Sequence, residues 1–197
     1  MNMTSIAVFC GSSFGNDPAY EKAAFGLGNT IARNGMTLVY GGASVGLMGA
    51  VADGALAVGG RVIGVLPGAL RDKEIAHDGL TELFWTETMH ERKSLMYEKS
   101  DGIISLPGGF GTFDETFEFL TWGQLGLHKK PTGLLNINGY YEKLLSMLDT
   151  MVEEGFLKKV NRDMLLVEDS AESLLAAMEA YTPPAVGKWI HKKTEEK

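Results

Sequence analysis

Short runs of consecutive apolar residues recur along the chain and end in glycine or proline, and longer stretches with helical periodicity separate them. The runs predict strands at 6–10, 37–40, 61–66, 81–86, 102–106, 132–136 and 165–167. The stretches between predict helices at 17–34, 46–58, 89–99, 112–125, 140–153 and 170–181. Asp17 and Pro18 suit an N-cap and a first helical position. Gly35, Gly59-Gly60 and Gly155 supply helix stops. Residues 69–80 are charged and without period, and are expected to form a loop at the active site. Strands that are apolar throughout, alternating with helices, predict a parallel α/β sheet covered on both faces. Residues 1–182 are expected to form one domain, and 183–197 a charged tail after Pro183-Pro184.

Charge and composition narrow the function. A formal net charge of −7 disfavours long nucleic acid, which needs a basic face. It leaves room for one small phosphorylated ligand held by main-chain N–H groups. Cys10 is the only cysteine, so no internal disulfide forms and a reducing compartment is expected. No apolar stretch approaches the roughly 20 residues that span a bilayer, so a cytoplasmic location without membrane contact is expected. Four scattered histidines and one cysteine offer no metal-site spacing.

The strongest chemical signal is Pro107-Gly108-Gly109-Phe110-Gly111-Thr112-Phe113-Asp114-Glu115. A buried strand feeds a glycine-rich turn that opens a helix, where free N–H groups and the helix dipole favour an anion. Gly108, Gly109, Gly111 and Thr112 are the candidate phosphate-binding residues. Thr112-x-x-Glu115 also has the spacing of a capping box, a purely local role. A second such turn, Gly41-Gly42 through Gly46-Leu47-Met48-Gly49, fits either a ligand or close helix–sheet packing. Met89, Arg92, Lys93 and Met96 share one helix face, which makes Arg92 either a snorkelling edge residue or a cation aimed into a site. Ser12, Gly42, Met89 and Lys93 are the further candidates for touching substrate. Gly11-Ser12-Ser13-Phe14-Gly15 matches the serine-hydrolase elbow, but only ten residues precede it and no convincing Asp–His pair follows. Neither dinucleotide-binding nor P-loop fingerprints occur. The 112–125 helix is apolar on more than one face, which suits either full burial or a homodimer interface.

The pattern P-G-G-x-G-T-x-x-E at 107–115, with Met89-His90-Glu91-Arg92-Lys93 upstream, resembles the LOG ("lonely guy") family, often labelled lysine decarboxylases. Phe9-Cys10-Gly11-Ser12-Ser13, Thr121-Trp122-Gly123-Gln124-Leu125-Gly126, His128-Lys129-Lys130-Pro131 and Asn138-Gly139-Tyr140-Tyr141 extend the resemblance over 6–181. It implies a Rossmann-like fold, a homodimer, and hydrolysis of an adenosine-type 5′-monophosphate, plain or N6-modified as in cytokinins, to free base and ribose 5-phosphate. By position, Arg92 and Glu115 match the catalytic pair and Gly108, Gly109, Gly111 and Thr112 the phosphate cradle. Residues 71–79 are harder to match. The chemistry asks for no metal or redox cofactor: a carboxylate near C1′ stabilises the oxocarbenium-like transition state and orients the water. The competing class is a non-catalytic nucleotide-binding or carrier protein on the same fold.

Overall fold

Burial of period two sets the layers. In β1 (Ser5–Phe9), Ile6 and Val8 enter one hydrophobic cluster, and Ala7 and Phe9 enter another on the opposite face. A strand apolar on both sides has to be covered on both. The computed structural model describes residues 3–70 and 76–184. Within them, β2 (Thr37–Tyr40), β3 (Val62–Pro67), β4 (Glu82–Thr86), β5 (Gly102–Ser105), β6 (Thr132–Leu135) and β7 (Leu165–Glu168) join β1 in one sheet. Its order is β4-β3-β2-β1-β5-β6-β7 and every pairing is parallel. The fold is α/β and Rossmann-like, as the alternating pattern predicts.

The helices are α1 (Pro18–Arg33), α2 (Gly46–Leu56), α3 (Met89–Glu98), α4 (Phe110–Gln124), α5 (Glu142–Glu153), a short α6 (Lys159–Arg162) and α7 (Ala171–Ala180). Leu27, Val51 and Leu174 bring α1, α2 and α7 onto one face. Met96, Phe119 and Leu148 bring α3, α4 and α5 onto the other. The chain runs outward from β1 to β4, then returns to place β5 on the other side of β1. Connections diverge between β1 and β5, and that leaves a crevice at the carboxyl ends of these two strands.

Asp17 caps α1 and accepts from the Ala19 N–H at 2.9 Å, with Pro18 in the first turn. Four local features differ from the sequence expectation. Helix α4 begins at Phe110 with extended Gly109 as N-cap, so Thr112 lies inside the first turn and the Thr112–Glu115 capping box does not form. Helix α5 starts at Glu142, because Ile137–Gly139 form a 3-10 turn with Asn138 and Gly139 in the left-handed region, at φ 51° and 70°. Helix α2 stops at Leu56, and α6 is too short to show a period. Of the loop expected over 69–80, positions 68–70 form a 3-10 turn, 71–75 lie outside the described residues, and 76–80 fold back. Ala76 bridges Ala43, and the His77 N–H donates to Gly42 O at 3.0 Å. The tail expected from 183 lies outside the described residues from 185 on.

Candidate active site

The turns after β1 and β5 are built against each other. The Gly11 N–H donates to Pro107 O at 3.0 Å. A Cβ on Gly108 would fall 2.1 Å from Thr112 Oγ1 and 2.8 Å from Gly11 N, so internal packing alone requires glycine there. The same holds at Gly46, which has φ +56° and whose Cβ would lie 2.3 Å from the Ser12 backbone. A Cβ on Gly41 would fall 2.2 Å from Arg92 Nη2, so this glycine makes room for a guanidinium. Gly109 and Gly111 are different. A Cβ at either meets nothing within 4 Å, and neither has a left-handed φ. Neither packing nor backbone conformation demands glycine at these two positions, which leaves the main chain there open toward the cavity.

A cavity of about 320 Å³ opens here. Its lining includes Cys10, Ser12, Gly41, Met48, Met89, Arg92, Gly109, Phe110, Gly111, Thr112, Asp114 and Glu115. The volume is within the range of small-molecule sites. The N–H groups of Phe110, Gly111 and Thr112 have no acceptor within α4, whose ladder starts with Phe113 N to Gly109 O at 3.2 Å. They and the helix dipole make the mouth attractive to an anion.

Arg92 and Glu115 form the polar floor. Arg92 Nε donates to Val65 O and Nη1 to Glu115 Oε1, both at 3.0 Å, and each of the two side chains is only 10% exposed. Burial pushes the Glu115 carboxyl up to about 7, against the pull of Arg92 and with a further push from Asp114. A carboxyl that exchanges its proton near neutrality suits acid–base work. Burial, then the neighbouring Glu115, pushes the Cys10 thiol upward, so it stays protonated and is no nucleophile.

Of the sequence candidates, Ser12, Met89, Arg92, Gly109, Gly111, Thr112 and Glu115 come together around the cavity, and Gly108 packs beneath it. Gly42 and Lys93 do not line it. Gly42, at φ +82°, receives the 76–79 segment instead. Lys93 Nζ lies 3.1 Å from Asp114 Oδ2 and 2.7 Å from Glu118 Oε2, which ties α3 to α4. Cys10, Gly41, Met48, Phe110 and Asp114 also line it, and each lies in a segment singled out above without being named there for a role.

The hydrolase elbow finds no partner among the described residues. His77 holds Asp53 Oδ1 at 3.0 Å with Nε2 and accepts the Gly79 N–H with Nδ1. His128 has both ring nitrogens committed, to Phe119 O and the Lys130 N–H.

A family model described as "Possible lysine decarboxylase" matches residues 48–178. Cytokinin riboside 5′-monophosphate phosphoribohydrolase LOG7 of Arabidopsis thaliana is 44% identical over 178 residues, spanning 90% of this chain and 82% of its own. A probable enzyme of the same name, LOGL1 of Oryza sativa subsp. japonica, is 47% identical over 177 residues, spanning 90% and 79%. The chain belongs to the LOG family. Its fold extends beyond that family: a molybdenum cofactor binding protein from the phototrophic bacterium Rippkaea orientalis superposes with a TM-score of 0.69 over 91% of this chain and 98% of its own, at 24% identity. Such distant likeness carries the architecture alone.

Proposed function

We propose that this LOG-family chain hydrolyses the N-glycosidic bond of an adenosine-type nucleoside 5′-monophosphate, plain or N6-modified, releasing the free base and ribose 5-phosphate. One observation carries the reading: a buried carboxyl titrating near 7, Glu115, is fixed by Arg92 in the same cavity as an open glycine-lined helix start. The names of the relatives from Arabidopsis thaliana and Oryza sativa supply the substrate class.

The mechanism follows from placement. The N–H groups at 110–112 and the Thr112 hydroxyl hold the 5′-phosphate, whose binding energy positions the ribose. Ionised Glu115 stabilises positive charge developing at the ribose as the base departs, and takes a proton from the attacking water. Arg92 keeps that carboxylate oriented. Met48 and Met89 give the cavity an apolar side suited to a base. No step calls on a metal or redox group.

A decarboxylase working through a lysine imine is not favoured, because no lysine lines the cavity among the described residues and Lys93 is held by two carboxylates. A carrier on this fold would have no use for a carboxyl poised at neutrality. The assembly we favour is a homodimer in the cytoplasm. Phe110 is 96% exposed at the end of a groove formed with Phe113, Phe117 and Trp122, an apolar surface that a second copy would cover. Among the described residues no helix is long and apolar enough to cross a membrane.

Incubation with AMP and with N6-prenylated AMP, followed by chromatography, tests the activity. Free base and ribose 5-phosphate are expected in equal amounts. Tight nucleotide binding without base release would establish the carrier reading instead.

A further inference from the structure

Four consecutive carbonyls run under the glycine turn, and each is taken by a donor. Leu106 O accepts from the Tyr141 hydroxyl at 2.6 Å, Pro107 O from the Gly11 N–H at 3.0 Å, Gly108 O from the Tyr140 hydroxyl at 2.6 Å, and Gly109 O from the Phe113 N–H at 3.2 Å. In a trans peptide the C=O and the following N–H point in opposite directions. The hydroxyl that draws in the carbonyl of Gly108 therefore turns the N–H of Gly109 the other way, toward the cavity that Gly109 lines.

The two tyrosines come from a turn that is itself fixed. The Asn136 side chain accepts the Tyr141 N–H at 2.8 Å and donates to Glu142 at 2.8 Å. The Asn138 side chain donates to Asp17, the N-cap of α1, at 2.8 Å. The Tyr140 ring meets Tyr20 edge-on at 5.9 Å, and Tyr141 meets Phe113 edge-on at 6.0 Å. The left-handed pair Asn138-Gly139 lets the chain present both rings to 106–108.

We infer that Tyr140 is a positioning residue for the anion: its hydroxyl holds the Gly108–Gly109 peptide plane so that the Gly109 N–H joins those at 110–112 in facing the 5′-phosphate. This rests on the phosphate-binding role of the turn proposed above. It assigns a purpose to the Asn138-Gly139-Tyr140-Tyr141 segment, which the chemistry of Glu115 and Arg92 does not use. Replacing either tyrosine by phenylalanine removes one oxygen and keeps the ring packing.

The test measures inhibition constants of ribose 5-phosphate, which carries the anion, and of free adenine, which does not, on the full chain. Tyr140→Phe is expected to weaken ribose 5-phosphate about five- to tenfold, the effect of one hydrogen bond, while adenine moves less than twofold. Tyr141→Phe is the control: its hydroxyl bonds Leu106 O, whose peptide ends at Pro107 and presents no N–H, so both constants are expected to move less than twofold. Tyr140 is 39% exposed, so its variant remains informative where removal of the buried Tyr141 hydroxyl lowers folding yield. If in Tyr140→Phe both constants shift together, or neither shifts, the positioning role is wrong. Thr112→Ala serves as the reference: weakened ribose 5-phosphate binding there with unchanged binding in Tyr140→Phe overturns this inference alone. No effect in any variant overturns the phosphate cradle as well.

Discussion

Two opposing effects meet on the Glu115 carboxyl, the group to which we assign the chemistry. Burial raises its pKa, and Arg92 at 3.0 Å limits the rise to about 7. Glu115→Gln is expected to lower kcat by roughly 100-fold or more while ribose 5-phosphate still binds, which single-turnover assays and calorimetry will separate. The ionised form does the work, so kcat/KM is expected to rise with pH through about 7. In Arg92→Leu that limb moves to higher pH, because the pull toward the charged form is gone; a limb that stays put belongs to the substrate phosphate. Stability shows the opposite slope. The native carboxyl keeps a proton between its ordinary 4.5 and about 7, where the unfolded chain has lost it. The native state therefore binds more protons in that window, and this group's contribution to stability falls as pH rises through it. Thermal melts from pH 4.5 to 7.5 are expected to show a flatter profile for Glu115→Gln.

At the scale of elements, the turn into α4 holds one glycine that packing requires, Gly108, and two that it does not, Gly109 and Gly111. Gly108→Ala is expected to destabilise the protein by about 1–3 kcal/mol, since its Cβ has no room beside Thr112 and Gly11. Gly111→Ala is expected to gain up to about 1 kcal/mol, since alanine is the better helix former and its Cβ meets nothing. The same variant is expected to raise KM for the monophosphate. Urea denaturation together with steady-state kinetics tests both signs, and a Gly111→Ala protein with unaltered KM would remove main-chain approach as the reason for glycine at that position. The lock between α3 and α4, through Lys93 with Asp114 and Glu118, keeps Arg92 and Glu115 on facing helices at a fixed separation.

For the molecule as a whole, strand order decides where chemistry can occur. β1 and β5 are neighbours although residues 10–101 lie between them, and their turns form the crevice. On the outer side, the groove along Phe110, Phe113, Phe117 and Trp122 leaves apolar surface uncovered within one chain. Phe110→Asp changes a side chain that is 96% exposed, so folding is expected to persist while self-association weakens. Light scattering after gel filtration is expected to show a dimer for the parent protein and a monomer-weighted population for the variant. An unchanged mass would move the interface elsewhere.

The apolar runs, their glycine stops and the Asp17-Pro18 cap were sufficient to predict seven strands, the main helices, a parallel sheet and the strand-to-helix turn at 107–112, because each of these depends on residues a few positions apart. The pairing of Arg92 with Glu115 followed from resemblance, and only the folded chain shows the 3.0 Å contact that burial makes consequential. The start of α4 at Phe110, the commitment of Lys93 to two carboxylates, the docking of His77 on Gly42, and the difference between crowded Gly108 and open Gly111 were all decided by tertiary structure. Spacing along a chain encodes which residues share a helix face or a strand edge. Which backbone atoms from distant turns come within 3 Å depends on the order of strands in the sheet, and no local pattern records that order.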